Sequence, residues 1–154
     1  MRWTLSAFQD LSAAEVHDLL ALRQRVFVVE QQCAYADVDG LDPGAWHLRA
    51  LDDEQGVLVA TLRVLGPGVA TPEVSIGRVV VREDRRGAGL GRELMKRGIG
   101  AAQDRFGAGP IRVAAQSHLE RFYRSLGFVL CGAEFVEDGI PHLPMRLAAA
   151  GATR

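Results

Sequence analysis

Apolar and polar residues change period several times along the chain, and each change marks an element. Arg2–Phe8 alternates as a first strand. Ser12-Ala13-Ala14-Glu15 has capping-box spacing and opens a helix carrying Val16, Leu19, Leu20, Arg23 and Phe27. That helix ends near VVEQQC, and AYADVDGLDPG follows as a polar, turn-rich loop. Trp46–Leu51 and Val57–Leu65 are two strands joined by DDEQG, a hairpin. After the loop GPGVATP, the stretch EVSIGRVVVR (Glu73–Arg82) is β-branched enough for a central strand. Leu90, Leu94, Gly98, Ala102 and Phe106 recur every four residues, which predicts a helix from Leu90 to Phe106 with one apolar face. Gly107-Ala108-Gly109-Pro110 stops it, and Ile111–Gln116 is a short buried strand. Ser117-His118-Leu119-Glu120 repeats the capping-box spacing and starts a helix that ends at Gly127. Phe128–Val136 and His142–Leu147 are two final strands around the turn EDGIP.

This order predicts an α+β layered fold: a mixed, largely antiparallel sheet flanked by helices. Its central strand–helix–strand unit requires two parallel neighbours. At 154 residues the chain fits one domain, expected over 1–148, with 149–154 as a flexible tail. A domain of this size buries roughly 70% of its unfolded surface.

Composition narrows the function. The formal net charge of −1, with 24% charged residues, gives neither nucleic-acid phosphates nor anionic lipids an excess of cations to bind. The two cysteines, Cys33 and Cys131, are too few for a disulfide framework. The first twenty residues contain no uninterrupted apolar run, and nothing reaches membrane-spanning length, so a cytoplasmic protein is expected. His47, Gln116 and His118 have no partners at metal-ligand spacing, so no metal is expected. Asp37-Val38-Asp39-Gly40-Leu41-Asp42 departs from the EF-hand template in its glycine position and lacks a closing glutamate.

The unusual stretch is EDRRGAGLGREL, Glu83–Leu94. Three glycines sit between a strong strand and a strong helix, where backbone N–H groups at the helix start can face an anion. Arg82, Arg85, Arg86 and Arg92 oppose the helix dipole there, at a cost of ~0.3–1 kcal/mol each unless an anion bridges them. A solvated basic turn is the plainer alternative. A Walker A loop needs Gly-Lys-Ser/Thr at its end, and none follows. The third glycine comes one residue too early for the dinucleotide fingerprint.

What remains, Arg86-x-x-Gly89-x-Gly91 after a β-branched strand, resembles the acetyl-CoA motif of the GCN5-related N-acetyltransferase (GNAT) superfamily. The resemblance runs from the first strand to Arg146. RQRVFVVEQQCAYADVDGLD, AAQSHLERFYRSLGF and EDGIPHLPM are similar to the ElaA subfamily. It implies acetyl-CoA as cosubstrate, with Val79, Val80 and Val81 along its pantetheine arm. Arg85, Arg86, Gly87, Ala88, Gly89, Leu90, Gly91 and Arg92 would surround its pyrophosphate. It also implies direct transfer to an amine, of a small molecule or a peptide, and a chain that can form homodimers.

A lysine-like amine has a pKa near ~10.4, so about one molecule in a few thousand is neutral at pH 7. A proton must therefore leave the amine, the thioester carbonyl must be polarised, and the thiolate must be protonated. A backbone N–H near Arg78 or Val79 can polarise the carbonyl. Tyr123, in ERFYRSLGF, matches the family's general-acid segment; half-buried helix packing is its other reading. Many relatives carry a glutamate on the central strand, but Ser75-Ile76-Gly77-Arg78 holds no carboxylate. Glu30 is the first candidate base and His142 the second. Asp39, Gln116 and His118 are candidate acceptor contacts, with an Asx-turn network as the alternative for the Asp39–Asp42 loop. A non-catalytic acyl-CoA-binding sensor is the competing function, and the missing strand glutamate is the feature that favours it.

Overall fold

The computed structural model describes residues 1–151. One eight-stranded sheet runs in the order β1-β2-β3-β4-β5-β8-β6, with β7 also paired to β8. Its strands are β1 (Arg2–Ala7), β2 (Trp46–Leu51), β3 (Leu58–Leu65), β4 (Val74–Val81), β5 (Ile111–Gln116), β6 (Val129–Leu130), β7 (Phe135–Glu137) and β8 (Ile140–Leu147). All pairings are antiparallel except β4 with β5. Part of the expected tail, 152–154, lies outside the described residues; within them, Ala150 N–H bonds the Ala108 carbonyl.

Helix α1 (Ala13–Arg23) starts on the Ser12 capping box, with both of its reciprocal bonds formed. It runs straight into a π-helical turn, Gln24–Glu30, which ends at the cleft described below. Helix α2 (Leu90–Phe106) buries Leu94, Met95, Gly98, Ala101 and Ala102 against β2–β4. A Cβ at Gly98 would lie 2.6 Å from a Leu62 methyl, so glycine is what lets this helix sit so close to β3. The main core fills this side of the sheet around Leu62, Ile76, Leu94, Ile111 and Met145, each side chain contributing roughly 1.5–3 kcal/mol by burial. A smaller cluster, Leu19, Leu22, Val26, Leu58 and Val80, packs α1 on the opposite face.

Two elements differ from expectation. Ser117 does not cap a helix; Ser117–Leu119 is a 3-10 turn, and the Ser117 hydroxyl donates to Glu134 instead. Helix α3 (Glu120–Ser125) begins after that turn without a side-chain cap. The expected strand Phe128–Val136 is broken into β6 and β7. Pro144 of β8 faces the break: its carbonyl accepts from Cys131 N–H, but it has no N–H to return, so the ladder cannot continue. The hairpin turn after β7 is Asp138-Gly139, both at positive φ, as a two-residue type I′ connection needs.

Candidate active site

The parallel strands β4 and β5 pair only at Val74–Ile111 and Ser75–Arg112 and then diverge. The gap between them opens a cleft of about 1240 Å³. A second irregularity lies on the other side of β4. Thr61 faces Val80 but Arg63 faces Gly77, so Arg78 and Val79 together oppose Leu62. This is a β-bulge, and it leaves a residue of β4 outside the ladder. Arg78 takes φ +51°, a left-handed conformation that non-glycine residues rarely adopt.

The glycine loop closes one end of the cleft. Gly87 and Gly89 have φ near +86° and +83°, and a Cβ at either would meet nothing within 4 Å. Gly89 is the N-cap residue of α2, and the first-turn amides that no cap side chain satisfies point outward. Each arginine of the motif has a protein partner. Arg82 pairs with Asp84, Arg85 with Asp52, and Arg92 donates to the Ser125 hydroxyl at 2.8 Å. Arg86 donates to both oxygens of Glu30, at 2.8 and 3.2 Å, and to the Val81 carbonyl at 3.0 Å.

Tyr123 stands on the opposite wall, in α3. A Schellman motif ends this helix: Gly127 N–H bonds Arg124 O, and Phe128 N–H bonds Tyr123 O. The Tyr123 ring is 6% exposed and meets Phe122 and Phe128 edge-on, at 5.2 and 5.9 Å between centroids. Burial pushes its pKa up to about 12, and among the described residues no hydrogen bond to its hydroxyl offsets this.

Sequence reasoning missed the network of buried arginines on the far side of β4. Arg23 and Arg63, 1% and 4% exposed, both donate to Asp42. Arg23 also holds Asp37, and Arg63 grips Asp39. Burial raises the Asp39 pKa, but the hydrogen bonds from Arg63 and Leu41 N–H and the charges of Arg63 and Arg78 win, holding it well below the usual carboxylate range. Asp42 is lowered in the same way by Arg23 and Arg63 against its burial. The Asp39–Leu41 bond is an Asx-turn. His47 is buried against the Asp42 carbonyl, and burial lowers its pKa, which keeps the ring neutral. The signals were present in sequence: an arginine in the strand LVATLRVL, and Arg23 spaced four residues from Leu19 and Phe27 on one helix face.

Among the expected site residues, Glu30, Asp39, Val79, Val80, Val81, Arg86, Gly87, Gly89, Leu90, Gly91 and Arg92 all border the cleft, as do Gln116, His118, Tyr123 and His142. Arg85 and Ala88 do not; Arg85 turns away to the β2–β3 hairpin. The Val80 side chain belongs to the smaller core. Gln116 donates to Gln31 at 3.2 Å. His142 Nδ1 lies 2.7 Å from the Ile140 carbonyl, and its ring stacks on Phe135. Cys33 Sγ donates to the Asp138 carbonyl at 3.2 Å. Among the described residues, no three His, Cys, Asp or Glu side chains converge as a metal site, and no helix is long and apolar enough to cross a membrane.

A mixed sheet split between its two parallel strands, with a left-handed glycine turn heading the helix that joins them, is the acyl-CoA N-acyltransferase fold. The chain belongs to the GNAT acetyltransferase family: the model of the acetyltransferase (GNAT) domain matches residues 24–149. Protein ElaA of Escherichia coli is 37% identical over 145 residues, 94% of this chain and 95% of its own. The crystal structure of E. coli ElaA matches with a TM-score of 0.88 at 36% identity, over 95% of this chain and 98% of that one. An acyl-CoA N-acyltransferase from Pseudomonas aeruginosa matches at TM-score 0.89 and 43% identity, over 96% and 100% of the two chains. An aminoglycoside 6'-N-acetyltransferase complexed with coenzyme A shares the fold at TM-score 0.73 and 17% identity, over 98% and 99%.

Proposed function

We propose that the protein transfers an acetyl group directly from acetyl-CoA to the primary amine of a small-molecule or peptide acceptor. Acetyl-CoA supplies the activated acyl group when bound. The amides of Gly87–Gly91, with Arg86 and Arg92, hold the pyrophosphate, and the backbone of Val79–Val81 bonds the pantetheine arm. The open space above Gly87 and Gly89 supports this, since any side chain there would fill it. Arg85 braces the loop from behind through Asp52.

The bulge at Arg78–Val79 offers an N–H to the thioester carbonyl as negative charge develops on it. Tyr123 gives its phenolic proton to the departing sulfur. The C–N bond forms, the C–S bond breaks, thiol leaves neutral, and the amine's surplus proton passes to a base. Tyr123 stays protonated through the neutral range, and the burial that raises it also raises the basicity of a thiolate leaving into the same wall. For the base, both Glu30 oxygens are engaged by Arg86. A carbonyl only accepts, so His142 Nδ1 carries the proton in its bond to Ile140, and among the described residues nothing bonds the Nε2 lone pair. We therefore assign proton acceptance to His142 and the anchoring of Arg86 to Glu30, reversing the order expected from sequence. Gln116 and His118 are acceptor-side contacts in this reading, while the Asp39 charge is already committed to arginines.

The observation that carries the proposal is the Tyr123 phenol, which among the described residues has no hydrogen-bond partner, in the same cleft as the glycine-loop amides. Thiol release from acetyl-CoA across a panel of amines tests it. Release that depends on one class of amine supports transfer. Calorimetric binding of acetyl-CoA without release for any amine would instead establish the non-catalytic sensor.

A further inference from the structure

The bulge in β4 needs a cause. A residue in the left-handed region is strained unless it is glycine, and such strain persists only where the surroundings enforce it. Here glycine occupies position 77 and arginine position 78, where φ is +51°. The Arg78 side chain supplies the enforcement. Its Nε lies 2.8 Å from Asp37 Oδ1, and its Nη2 donates to the Asp37 carbonyl at 3.1 Å and to Asp39 Oδ2 at 3.3 Å. Its guanidinium also lies 5.7 Å from the Tyr35 ring centre. Tyr35 in turn donates to Asp37 Oδ1 at 2.6 Å, orienting the carboxylate.

These partners are themselves immobilised. Arg23 donates to the Asp37 carboxylate through Nε and to its carbonyl through Nη2, and Arg63 clasps Asp39. The guanidinium of Arg78 is therefore fastened to a loop that two buried arginines fasten to α1 and β3. An extended conformation at position 78 would swing that side chain to the other face of the sheet, because faces alternate with each residue. It would also return an N–H of the bulge to the β3 ladder, where it could not face the cleft.

We propose that Arg78 is a positioning residue: its clamp by Asp37, Asp39 and Tyr35 holds the β4 bulge in the left-handed conformation that presents the backbone N–H to the thioester carbonyl. This rests on the proposed acetyl transfer, and the test separates the two. Acetyl-CoA carrying a ¹³C carbonyl is bound to the wild type, Arg78→Ala, Arg78→Gly and Asp39→Asn, and the thioester carbonyl stretch is read by isotope-edited infrared spectroscopy. Affinity is read by calorimetry and acceptor-independent thioester hydrolysis by thiol release. A wild-type band unshifted from free acetyl-CoA would sink the polarisation reading itself, whatever Arg78 does.

With a wild-type downshift in place, Arg78→Ala is expected to lose most of it and to hydrolyse roughly 10-fold more slowly, with acetyl-CoA affinity within twofold. Arg78→Gly lacks the same contacts but enters positive φ freely, so it is expected to retain more of the downshift than alanine. Asp39→Asn keeps the side-chain shape at a partly exposed position and is expected to lose part of the downshift. If alanine fails to fold, the glycine and asparagine variants carry the test. A full wild-type downshift in Arg78→Ala or Asp39→Asn, or a glycine variant no better than alanine, would overturn the proposal.

Discussion

Replacing Tyr123 by phenylalanine removes one oxygen from a ring that is otherwise locked by Phe122, Phe128 and the Schellman turn. Because no protein group bonds that hydroxyl among the described residues, its loss leaves no orphaned partner. The hydroxyl oxygen is not among the fully buried atoms that lack a partner, so it keeps contact with the open cleft and its removal should change stability by no more than about 1 kcal/mol. At roughly 2–4 °C per kcal/mol for a chain of this size, the melting temperature should stay within a few degrees of wild type. Binding of acetyl-CoA should stay within twofold, since the loop amides and arginines that hold it are untouched. Turnover should fall roughly 10²–10⁴-fold, the usual weight of a positioned acid, or about 2.7–5.5 kcal/mol in the barrier. Thiol release under saturating acetyl-CoA and amine measures it, beside a thermal melt and calorimetry. Turnover within threefold of wild type, with the fold intact, would refute the acid role. With a pKa pushed up to about 12, the acid should also set no alkaline limb on turnover between pH 7 and 10.

Gly89→Val forces a β-branched residue into φ +83°; the melting temperature should drop by several degrees for about 1–2 kcal/mol of strain, and coenzyme A affinity by calorimetry should fall at least 10-fold. Normal binding by this variant would remove the loop from the site. Arg23→Met leaves Asp37 and Asp42 buried with less compensation, and urea unfolding should show a loss of roughly 3–5 kcal/mol. The pH dependence of stability has two parts with the same sign. His47 is lowered by burial, so its contribution is whole above pH ~6.5 and declines as pH falls below that value. The contributions of Asp39 and Asp42, lowered by their arginines, are whole above pH ~4 and decline below it. Urea midpoints that stay flat from pH 7.5 to 3 would contradict both.

Local signals were legible where local bonds decide the structure. Ser12 and Glu15 satisfy each other within one helical turn, so their spacing alone foretold the cap. Ser117 and Glu120 have the same spacing, but their side chains find Glu134 and Arg124, and only the tertiary fold brings Glu134 within reach. The α2 face from Leu94 to Ala102 was readable because residues three and four apart share one face of a helix with 3.6 residues per turn. The β6–β7 break was not, because its cause is the missing N–H of Pro144 on a neighbouring strand. At the site, the glycine turn and Tyr123 stood out in sequence. The clamp around Arg78 did not, since it joins residues 35–42 to residues 63 and 78 through charges that look like ordinary loop polarity until they are buried.

The split between β4 and β5 also bears on how the chain avoids its neighbours. An exposed strand edge invites pairing with other molecules and is a common start of aggregation. Here two such edges lie in the middle of a sheet rather than at its rim. They face each other across a gap walled by the Glu30–Cys33 segment, α3 and the β7–β8 hairpin. A second protein strand would have to thread that gap end-on, whereas one slender, flexible chain can lie along it. The walls of the gap thus guard these edges against a strand of another molecule, and leave their unpaired N–H and C=O groups for the narrow pantetheine arm that the proposed function lays along them.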